Sequence, residues 1–351
     1  MSLFSHPDFD NHEAVHTFCD PESGLRAFIA VHNTNRGPAS GGTRFWQYAS
    51  DADALTDVLR LSRAMSFKNA MAQLDIGGGK AVILRPEGEF DREALFTAYG
   101  RAVETISGTY ITAEDVGVSP VDMAIIKTQT NHVAGLSEGE NASGDPSPVT
   151  ADGVFRGIKI AAERVFGSND LSGRRIAIQG LGHVGYALAV HLAKAGADLS
   201  VADINLEALS KAKDELGAAV VPVGEIHAVE ADIFAPCALG GAIRHETLSQ
   251  LSAKIVAGAA NNQLKTPDMA VALKQRGVLY APDYVINAGG IINVAAEVSG
   301  HYDPKWVTGK LDQLEETLAT VFGRAASEDR TTQDVADEMA RERMAAIREW
   351  R

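Results

Sequence analysis

The sequence predicts an α/β protein of two domains, the second of which is built on a doubly wound parallel sheet. The chain has 351 residues, which is too long for one ordinary domain and suits two. Short apolar runs alternate with stretches of helical periodicity, as in strands that are connected by helices. A polar stretch rich in glycine and proline, at 137–148, separates two such series and is typical of a linker.

The first domain is predicted to comprise residues 1–138, together with the end of a helical C-terminal tail at about 326–351. Helices are assigned where apolar residues recur at intervals of three and four, and strands where apolar or β-branched residues follow one another. The predicted elements are a strand at 25–33, a helix at 51–70, a strand at 81–84, a helix at 92–106 and a strand at 109–112.

The second domain is predicted to span residues 139–325. It begins with a helix at 150–166, a strand at 174–179, a helix at 183–195 and a strand at 198–203. The runs AVVPV, DIFAP, KIVAG and GVLYAP then continue the series of short strands. Strands at this spacing with helices between them favour a parallel sheet that is covered on both faces.

The composition argues against several classes of function. Asp and Glu number 46 and Lys and Arg 32, so the formal net charge is −14. Such a surface repels nucleic acids and anionic membranes, and neither partner is expected. Cys19 and Cys237 are too few for a disulfide framework or a multi-cysteine zinc site. With neither a secretory signal nor a long apolar run visible, the expectation is a cytoplasmic protein without a metal.

The second domain carries a complete G-x-G-x-x-G motif, Gly180-Leu181-Gly182-His183-Val184-Gly185. Because an apolar strand precedes it and a helix pattern follows, it predicts a dinucleotide site, with the phosphates at the helix N-terminus. Asp203 lies eighteen residues after Gly185, at the end of the next strand, where a carboxylate binds ribose hydroxyls and repels a 2′-phosphate. NAD is therefore favoured over NADP. The alternative is a tight turn without a ligand.

A second group of residues predicts acid–base chemistry in the first domain. The segment Gly77–Lys80 is no phosphate loop, since that motif requires glycine at Leu74 and serine or threonine at Ala81. A lysine behind three glycines is expected to be desolvated, and a neighbouring cation, for which Lys68 is the candidate, lowers its pKa further. Asp115 ends a strand, where α/β enzymes place functional groups. The alternative is a set of solvated surface side chains.

Eight segments resemble, in family order, the amino acid dehydrogenases that act on leucine, valine, phenylalanine and glutamate, and are most like the leucine branch. They are GPASGGTRFW (37–46), MSFKNAMAQLDIGGGKAVI (65–83), TAEDVG (112–117), DPSPVTADGVFRGIK (145–159), QGLGHVGY (179–186), FAPCALGG (234–241), VAGAANNQL (256–264) and YAPDYVINAGGIINVA (280–295). The resemblance implies NAD-dependent, reversible oxidative deamination of an L-amino acid to the 2-oxo acid and ammonia. It also implies a homo-oligomer, and a cleft between a substrate domain and a Rossmann-type NAD-binding domain.

The resemblance assigns roles to matching positions. Lys80 would be the base that activates water, and Asp115 would exchange protons with the substrate nitrogen. Lys68 would bind the α-carboxylate beside the backbone of Gly77 and Gly78. The residues expected to bind the cofactor are Thr150, Gly180, Leu181, Gly182, His183, Val184, Gly185, Tyr186, Asp203, Cys237, Ala238, Asn262 and Asn287.

The resemblance also outlines a pocket for the substrate side chain. The residues expected there are Ser40, Ala113, Ile291 and Val294. Asn262 is expected to contact the substrate as well as the cofactor. Glutamate enzymes carry lysine at the position of Ser40, so glutamate is disfavoured, since a second buried carboxylate would lack its cation. Leucine enzymes usually carry leucine there. The mostly apolar lining favours leucine or valine, and the smaller serine leaves phenylalanine as the alternative.

Two rival classes are weaker interpretations of the same sequence. A 2-hydroxy acid dehydrogenase would need a histidine dyad, but the histidine nearest to a motif is His183, within the phosphate turn. A non-catalytic NAD sensor would need an added binding module, for which the chain length leaves no room.

Overall fold

The computed structural model describes residues 3–136, 144–298 and 302–346. The chain forms two units. The first unit comprises Met1–Gly144, Val294–Pro304 and Ala340–Arg351. The second unit comprises Asp145–Asn293 and Lys305–Met339. Residues 137–143 of the predicted linker and 347–351 of the predicted tail lie outside the described residues. The linker prediction is wrong at its end, because Ser147 and Pro148 already belong to a helix.

In residues 3–136, the first unit contains a five-stranded sheet and three α-helices. Its elements are β1 (Ala14–Asp20), β2 (Leu25–Asn33), β3 (Ala39–Trp46), α1 (Asp51–Met71), β4 (Gly77–Leu84), α2 (Arg92–Thr105), β5 (Tyr110–Glu114) and α3 (Pro120–Lys127). The strand order is β1-β2-β4-β3-β5. β2 is antiparallel to both β1 and β4, whereas β3 is parallel to β4 and β5.

Helix α1 begins where a side chain caps it and packs along an apolar stripe. The Ser50 hydroxyl accepts a hydrogen bond from the backbone N–H of Asp53, which satisfies one of the free donors of the first turn. Val58 and Leu59 are fully buried and pack against Val82 of β4. Burial of each such side chain contributes about 1.5–3 kcal/mol. The helix is thereby fixed on the strand that carries the three consecutive glycines.

Strands β3 and β4 contain glycines at positions where neighbouring atoms would collide with a side chain. A Cβ atom on Gly78 would lie 2.0 Å from the backbone nitrogen of Ser66 in α1. A Cβ atom on Gly41 would lie 2.0 Å from the carbonyl oxygen of Gly79. β4 therefore begins at Gly77, four residues before the predicted strand, and passes directly beneath the end of α1.

The second unit contains a six-stranded parallel sheet in the order β11-β10-β9-β6-β7-β8. Its first elements are α4 (Ser147–Phe166), β6 (Arg175–Gln179), α5 (His183–Lys194), β7 (Asp198–Ala202), α6 (Leu206–Leu216), β8 (Ala219–Val220) and β9 (Ile233–Pro236). They are followed by α7 (His245–Gln250), β10 (Ile255–Val256), α8 (Asp268–Gln275), β11 (Leu279–Tyr280) and α9 (Asp283–Ile286). The remaining α-helices of the described residues are α10 (Gly289–Val298), α11 (Pro304–Ser327) and α12 (Thr332–Ala345).

This strand order is that of a doubly wound dinucleotide-binding sheet, and it confirms the predicted fold class. The order reverses between β6 and β9, and ligands of such sheets bind outside the carboxyl ends of the strands at that point. Within the described residues, no helix combines the length and hydropathy that crossing a membrane requires.

Candidate active site

Lys80 and Asp115 form a buried ion pair in the first unit. Lys80 lies within β4 and Asp115 directly follows β5, and Nζ of the lysine is 2.9 Å from Oδ2 of the aspartate. Strand β3 runs between β4 and β5, so the two side chains meet across it. Gly42 of β3 makes room for the Asp115 side chain, because a Cβ atom on residue 42 would lie only 2.7 Å from the Cβ of Asp115. Lys80 is only 6% exposed.

Arg44 is the third charged member of this group and is not among the residues predicted from the sequence. Its Nε donates a hydrogen bond to Asp115 Oδ2 at 3.2 Å, and its Nη1 donates to Asp57 Oδ2 at 2.9 Å. The Tyr48 hydroxyl donates to the same oxygen of Asp57 at 2.6 Å. Alternation in a strand puts Arg44 on the same face as Gly42. Because β3 itself is not predicted from the sequence, no local signal indicates this position.

The surroundings lower the pKa of both members of the pair. Burial lowers the pKa of Lys80 most, Asp115 partly opposes this, and the charge of Arg44 lowers it further. For Asp115, burial alone would raise the pKa, but Lys80 and Arg44 together outweigh burial and hold it below its usual value. Arg44 is thus a neighbouring cation of Lys80, in addition to the predicted Lys68. The result is an ionised carboxylate beside a lysine that loses its proton more easily than usual.

The end of α1 is tied to the glycine strand beside this pair. The amide nitrogen of Asn69 donates to the carbonyl oxygen of Gly77 at 2.6 Å. The Ser66 hydroxyl donates to the carbonyl oxygen of Gly78 at 3.5 Å and lies 2.8 Å from Nδ1 of the buried His32. Lys68, which is half-buried, lies between these two contacts in the last turn of α1. The structure thus brings Lys68, Gly77 and Gly78 to one junction.

Ser40 lies in the same sheet, with its side chain fully buried. It is in register with Gly78 of β4 and Ile111 of β5, while Ala113 of β5 is opposite Gly42. The Ser40 hydroxyl has no hydrogen-bond partner among the described residues. A buried hydroxyl without a partner is destabilising, so this group is available to a ligand or a water molecule.

The remaining predicted pocket residues, Ile291 and Val294, lie on α10. They are three residues apart and therefore share one face of the helix. Both are half-buried, whereas Ile292 between them is fully buried.

In the second unit, the predicted cofactor residues gather at the carboxyl ends of the parallel strands. They follow β6 (Gly180, Leu181, Gly182, His183, Val184, Gly185 and Tyr186), β7 (Asp203), β9 (Cys237 and Ala238), β10 (Asn262) and the β11–α9 segment (Asn287). Carboxyl ends of parallel strands meet at one edge of a sheet. Thr150 is in the first turn of α4, and its hydroxyl donates to the carbonyl oxygen of Pro146.

The glycine loop after β6 has the geometry of a phosphate-binding turn. Gly180 has a φ of +99°, which favours glycine, and a Cβ there would lie 2.8 Å from the backbone nitrogen of Ala238. A Cβ on Gly185 would lie 2.0 Å from the carbonyl oxygen of Gly180, so this glycine lets α5 start close to β6. Around Gly182, by contrast, no described atom lies within 4 Å of the Cβ position. The first turn of α5 has no side-chain cap among the described residues, which leaves its N–H groups for an anion.

Asp203 braces this loop from the end of β7. Its Oδ2 accepts a hydrogen bond from the backbone N–H of Leu181, and its Oδ1 accepts one from Asn205 at 2.7 Å. Each carboxylate oxygen can accept further hydrogen bonds, so the residue can also bind hydroxyl groups.

Asn287 provides a further sign that a polar ligand fits this edge. Its amide nitrogen donates to the carbonyl oxygen of Ala259 and to Oδ1 of Asn261. Its own Oδ1 is buried without a hydrogen-bond partner in the described part of the chain. Asn262 is exposed and has a φ of +52°, and its carbonyl oxygen accepts a hydrogen bond from Gly241.

Two predicted cofactor residues have structural contacts of their own. Burial raises the pKa of the Cys237 thiol to about 12, so it is a neutral group, and its backbone N–H donates to the carbonyl oxygen of Gln179. The Tyr186 hydroxyl donates to Glu215 of α6 at 2.6 Å, which directs it towards the neighbouring helix. Among the described residues, no group of three or more His, Cys, Asp or Glu side chains is arranged to hold a metal ion.

Two family models match most of the chain. One, described as Glu/Leu/Phe/Val dehydrogenase, dimerisation domain, matches residues 12–132. The other, described as Glutamate/Leucine/Phenylalanine/Valine dehydrogenase, matches residues 201–350.

Individual proteins of known name are similar over nearly the full length. The chain is 48% identical to the leucine dehydrogenase of Geobacillus stearothermophilus, over 100% of this chain and 95% of that protein. It is 45% identical to the phenylalanine dehydrogenase of Lysinibacillus sphaericus, over 93% of this chain and 87% of that protein. The crystal structure of L-tryptophan dehydrogenase from Nostoc punctiforme matches with a TM-score of 0.85 and 40% identity, over 95% of this chain and 96% of that chain.

Proposed function

We propose, because the chain belongs to the glutamate/leucine/phenylalanine/valine dehydrogenase family, that it oxidatively deaminates a branched-chain aliphatic L-amino acid with NAD. The protein is an amino acid dehydrogenase, an oxidoreductase that uses a nicotinamide cofactor. The products are the 2-oxo acid, ammonia and NADH, and the reaction is reversible. The observation that carries this proposal is the buried contact of 2.9 Å between Lys80 and Asp115.

Asp115 is the group that we assign to the substrate nitrogen. An amino acid arrives with an ammonium group, and hydride leaves Cα readily only after the nitrogen has lost a proton. The cofactor, when bound, accepts that hydride from Cα. Asp115 is suited to accept the proton because Lys80 and Arg44 keep its carboxylate ionised.

Lys80 is the group that we assign to the water molecule. Hydrolysis of the imino acid requires a base that removes a proton from the attacking water. A general base works best when its pKa is near the working pH, and burial together with Arg44 moves the pKa of Lys80 in that direction. The same lysine, once protonated, can return the proton as ammonia leaves.

Lys68 and the strand beside it are proposed to bind the substrate carboxylate. Lysine supplies a compact positive charge, and the Gly77–Gly78 backbone presents polar groups without side chains that would block access. The contacts of Ser66 and Asn69 with these glycines fix the last turn of α1 and hence the backbone of Lys68.

NAD is proposed as the cofactor because of Asp203. Its carboxylate can accept hydrogen bonds from ribose hydroxyls, and its charge repels the 2′-phosphate of NADP. The first turn of α5 and the glycine loop are proposed to hold the pyrophosphate. The resemblance extends this site to Thr150, Cys237, Ala238, Asn262 and Asn287.

The side chain of the substrate is proposed to be aliphatic and branched, as in leucine or valine. Ser40 and Ala113 offer no cation for a second carboxylate, so glutamate is disfavoured. Ile291 and Val294 belong to the pocket by resemblance and supply branched apolar surface. Phenylalanine is the second candidate, since the small side chain of Ser40 leaves more space than leucine would.

A substrate panel tests the function. We expect NADH formation from NAD with L-leucine or L-valine, and NADH consumption with the matching 2-oxo acid only when ammonium is present. The dependence on ammonium distinguishes this enzyme from a 2-hydroxy acid dehydrogenase. A protein that oxidises 2-hydroxy acids, or consumes NADH without ammonium, would contradict the proposal.

The cofactor preference has its own test at Asp203. We expect Asp203→Ser to improve kcat/KM with NADP because the repulsion of the 2′-phosphate is removed. We also expect weaker NAD binding, since the N–H of Leu181 loses its acceptor and the loop loses its brace. Comparable use of both cofactors by the unmutated protein would refute the argument from charge.

We propose a homo-oligomer, since the family model that matches residues 12–132 is described as a dimerisation domain. We propose a cytoplasmic protein because both cysteines, Cys19 and Cys237, are free thiols.

A further inference from the structure

Arg44 bridges two carboxylates, only one of which has a role in the proposed reaction. One edge of its guanidinium contacts Asp115 and another nitrogen contacts Asp57. Tyr48 donates to Asp57, so Asp57 is itself held on its far side. These groups come from β3, from the segment after β3 and from α1. A planar guanidinium that is fixed at two points has little freedom to rotate away.

The sheet register delivers Arg44 to Asp115. Thr43 of β3 is paired with Glu114 of β5, and Arg44 and Asp115 are the next residues along the two parallel strands. Arg44 is about three-quarters buried, with 25% of its side chain exposed, and Asp57 is similar at 28%. Burial would lower the pKa of Arg44, but Asp115 and Asp57 outweigh it and raise the pKa above its usual value. The positive charge is therefore permanent.

Both cations bind the same oxygen of Asp115. Lys80 Nζ and Arg44 Nε each contact Oδ2, at 2.9 and 3.2 Å. The backbone N–H of Val116 also donates to this carboxylate. Asp115 is thereby held in a fixed orientation beside Lys80.

A cavity of about 560 Å³ is lined by Arg44, Tyr48 and Asp57, among others. The side chain of Lys80 is 8% exposed and that of Asp115 is 22% exposed. The charge of Arg44 is therefore screened less at this pair than it would be in water.

We propose that Arg44 is a positioning residue. Asp57 and Tyr48 hold it against Oδ2 of Asp115, and Arg44 in turn orients that carboxylate for the substrate nitrogen. This inference rests on the function proposed for Lys80 and Asp115. The negative charge of Asp57 partly offsets the electrostatic effect of Arg44 on Lys80 and Asp115.

The sign of the effect follows from the charges around Asp115. They are Lys80 on β4, Arg44 on β3 and Asp57 on α1, with Glu114 next to Asp115 at the end of β5 and the neutral Tyr48 hydroxyl bound to Asp57. Loss of Arg44 raises the pKa of Asp115, which loses a cation, and raises that of Lys80, which loses a repelling charge. Deamination needs Asp115 ionised and Lys80 neutral. Both changes therefore move the rising limb of activity to higher pH.

The test is the pH dependence of kcat/KM for amino acid oxidation in Arg44→Met. We expect the rising limb to move to higher pH by about one unit, with the KM for NAD unchanged. Arg44→Lys keeps the positive charge, so the rising limb of its pH profile should stay near that of the unmutated enzyme. Its kcat should fall, because lysine cannot bind both carboxylates at once. Arg26→Met is the matched control, since it removes an exposed arginine of the same unit that pairs with Asp51.

Asp57→Asn provides a second variant with the opposite sign. Asparagine still accepts a hydrogen bond from Arg44 but no longer offsets its charge, so the limb should move to lower pH. If thermal melts show that Arg44→Met does not fold, the pH profile of Asp57→Asn alone tests the inference. The inference would be overturned if the rising limb of the pH profile lay at the same pH in the unmutated, Arg44→Met and Asp57→Asn proteins. That result would not affect the proposed function. Absence of amino acid oxidation by the unmutated protein at any pH would instead overturn the proposed function.

Discussion

Lys80 is the residue on which the proposed chemistry depends most. A buried ammonium group costs several kcal/mol of desolvation, and Asp115 offsets only part of that cost. We expect Lys80→Ala to lower kcat by about two to four orders of magnitude, as removal of a general base does. NAD binding should persist, because the proposed cofactor residues lie in the second unit. Steady-state kinetics and a titration of NADH fluorescence measure the two effects.

A matched lysine controls this experiment. Lys127 is exposed in the same unit, where its Nζ donates to Asn131, so Lys127→Ala should keep full activity. Asp115 retains Arg44 as a partner in Lys80→Ala, and the variant should therefore fold. Near-normal turnover by a folded Lys80→Ala protein would refute the assignment.

Ser40 is the residue at which side-chain preference can be tested. Leaving its buried hydroxyl without a partner costs about 1–3 kcal/mol, and Ser40→Leu removes that group while filling space. With a branched aliphatic substrate, we expect leucine turnover to be kept or improved. With an aromatic substrate, the change should exclude the ring and cost about 1–3 kcal/mol of transition-state binding.

The measurement is kcat/KM for leucine, valine, phenylalanine and glutamate in both proteins. In the unmutated enzyme we expect leucine or valine to lead, with phenylalanine next. Glutamate as the best substrate would overturn the interpretation of Ser40.

At the scale of elements, β4 depends on glycine where α1 crosses it. Gly78→Ala would place a Cβ 2.0 Å from the backbone of Ser66, which cannot yield as a flexible side chain would. We expect a loss of about 1–3 kcal/mol in the free energy of unfolding, or more, because backbone must move. Gly323→Ala in α11 is the control, since no described atom lies within 4 Å of its Cβ position.

The control should change stability in the opposite direction. Alanine in an open position of a helix stabilises by about 0.5–1 kcal/mol relative to glycine. Urea unfolding of the three proteins gives the comparison. Equal midpoints for Gly78→Ala and the unmutated protein would show that the contact is not restrictive.

The elements that the sequence predicts well are those with regular side-chain patterns. The strand at 25–33 is found at the predicted residues, and α1 extends only one residue beyond its predicted end. β3 was not assigned because Gly41 and Gly42 interrupt any alternation of apolar and polar residues. β4 was assigned only from Ala81 for the same reason.

Some residues of the candidate site could likewise be predicted from the sequence, and others could not. Lys80 and Asp115 could be singled out because each stands in a recognisable local segment, and the structure brings them into contact. Arg44 and Asp57 could not, because their roles arise from the register of β3 against β5 and from the packing of α1. Such contacts join positions far apart in sequence, and no local pattern reports them.

At the scale of the whole molecule, sheet edges and net charge act in opposite directions on assembly. β1 is paired on one side only within the described residues, and an edge strand presents free N–H and C=O groups. The formal charge of −14 on each chain opposes association. A stable homo-oligomer must therefore gain more from apolar and backbone contacts than it loses to repulsion.

This balance predicts how assembly responds to salt. We expect a homo-oligomer whose mass is a whole multiple of 37.2 kDa, measured by light scattering during size-exclusion chromatography. Added salt screens the repulsion between acidic chains, so the oligomer should persist or become more stable on dilution at high ionic strength. An interface held mainly by ion pairs would instead dissociate as salt is added. A single species of 37.2 kDa under all conditions would contradict the proposed assembly.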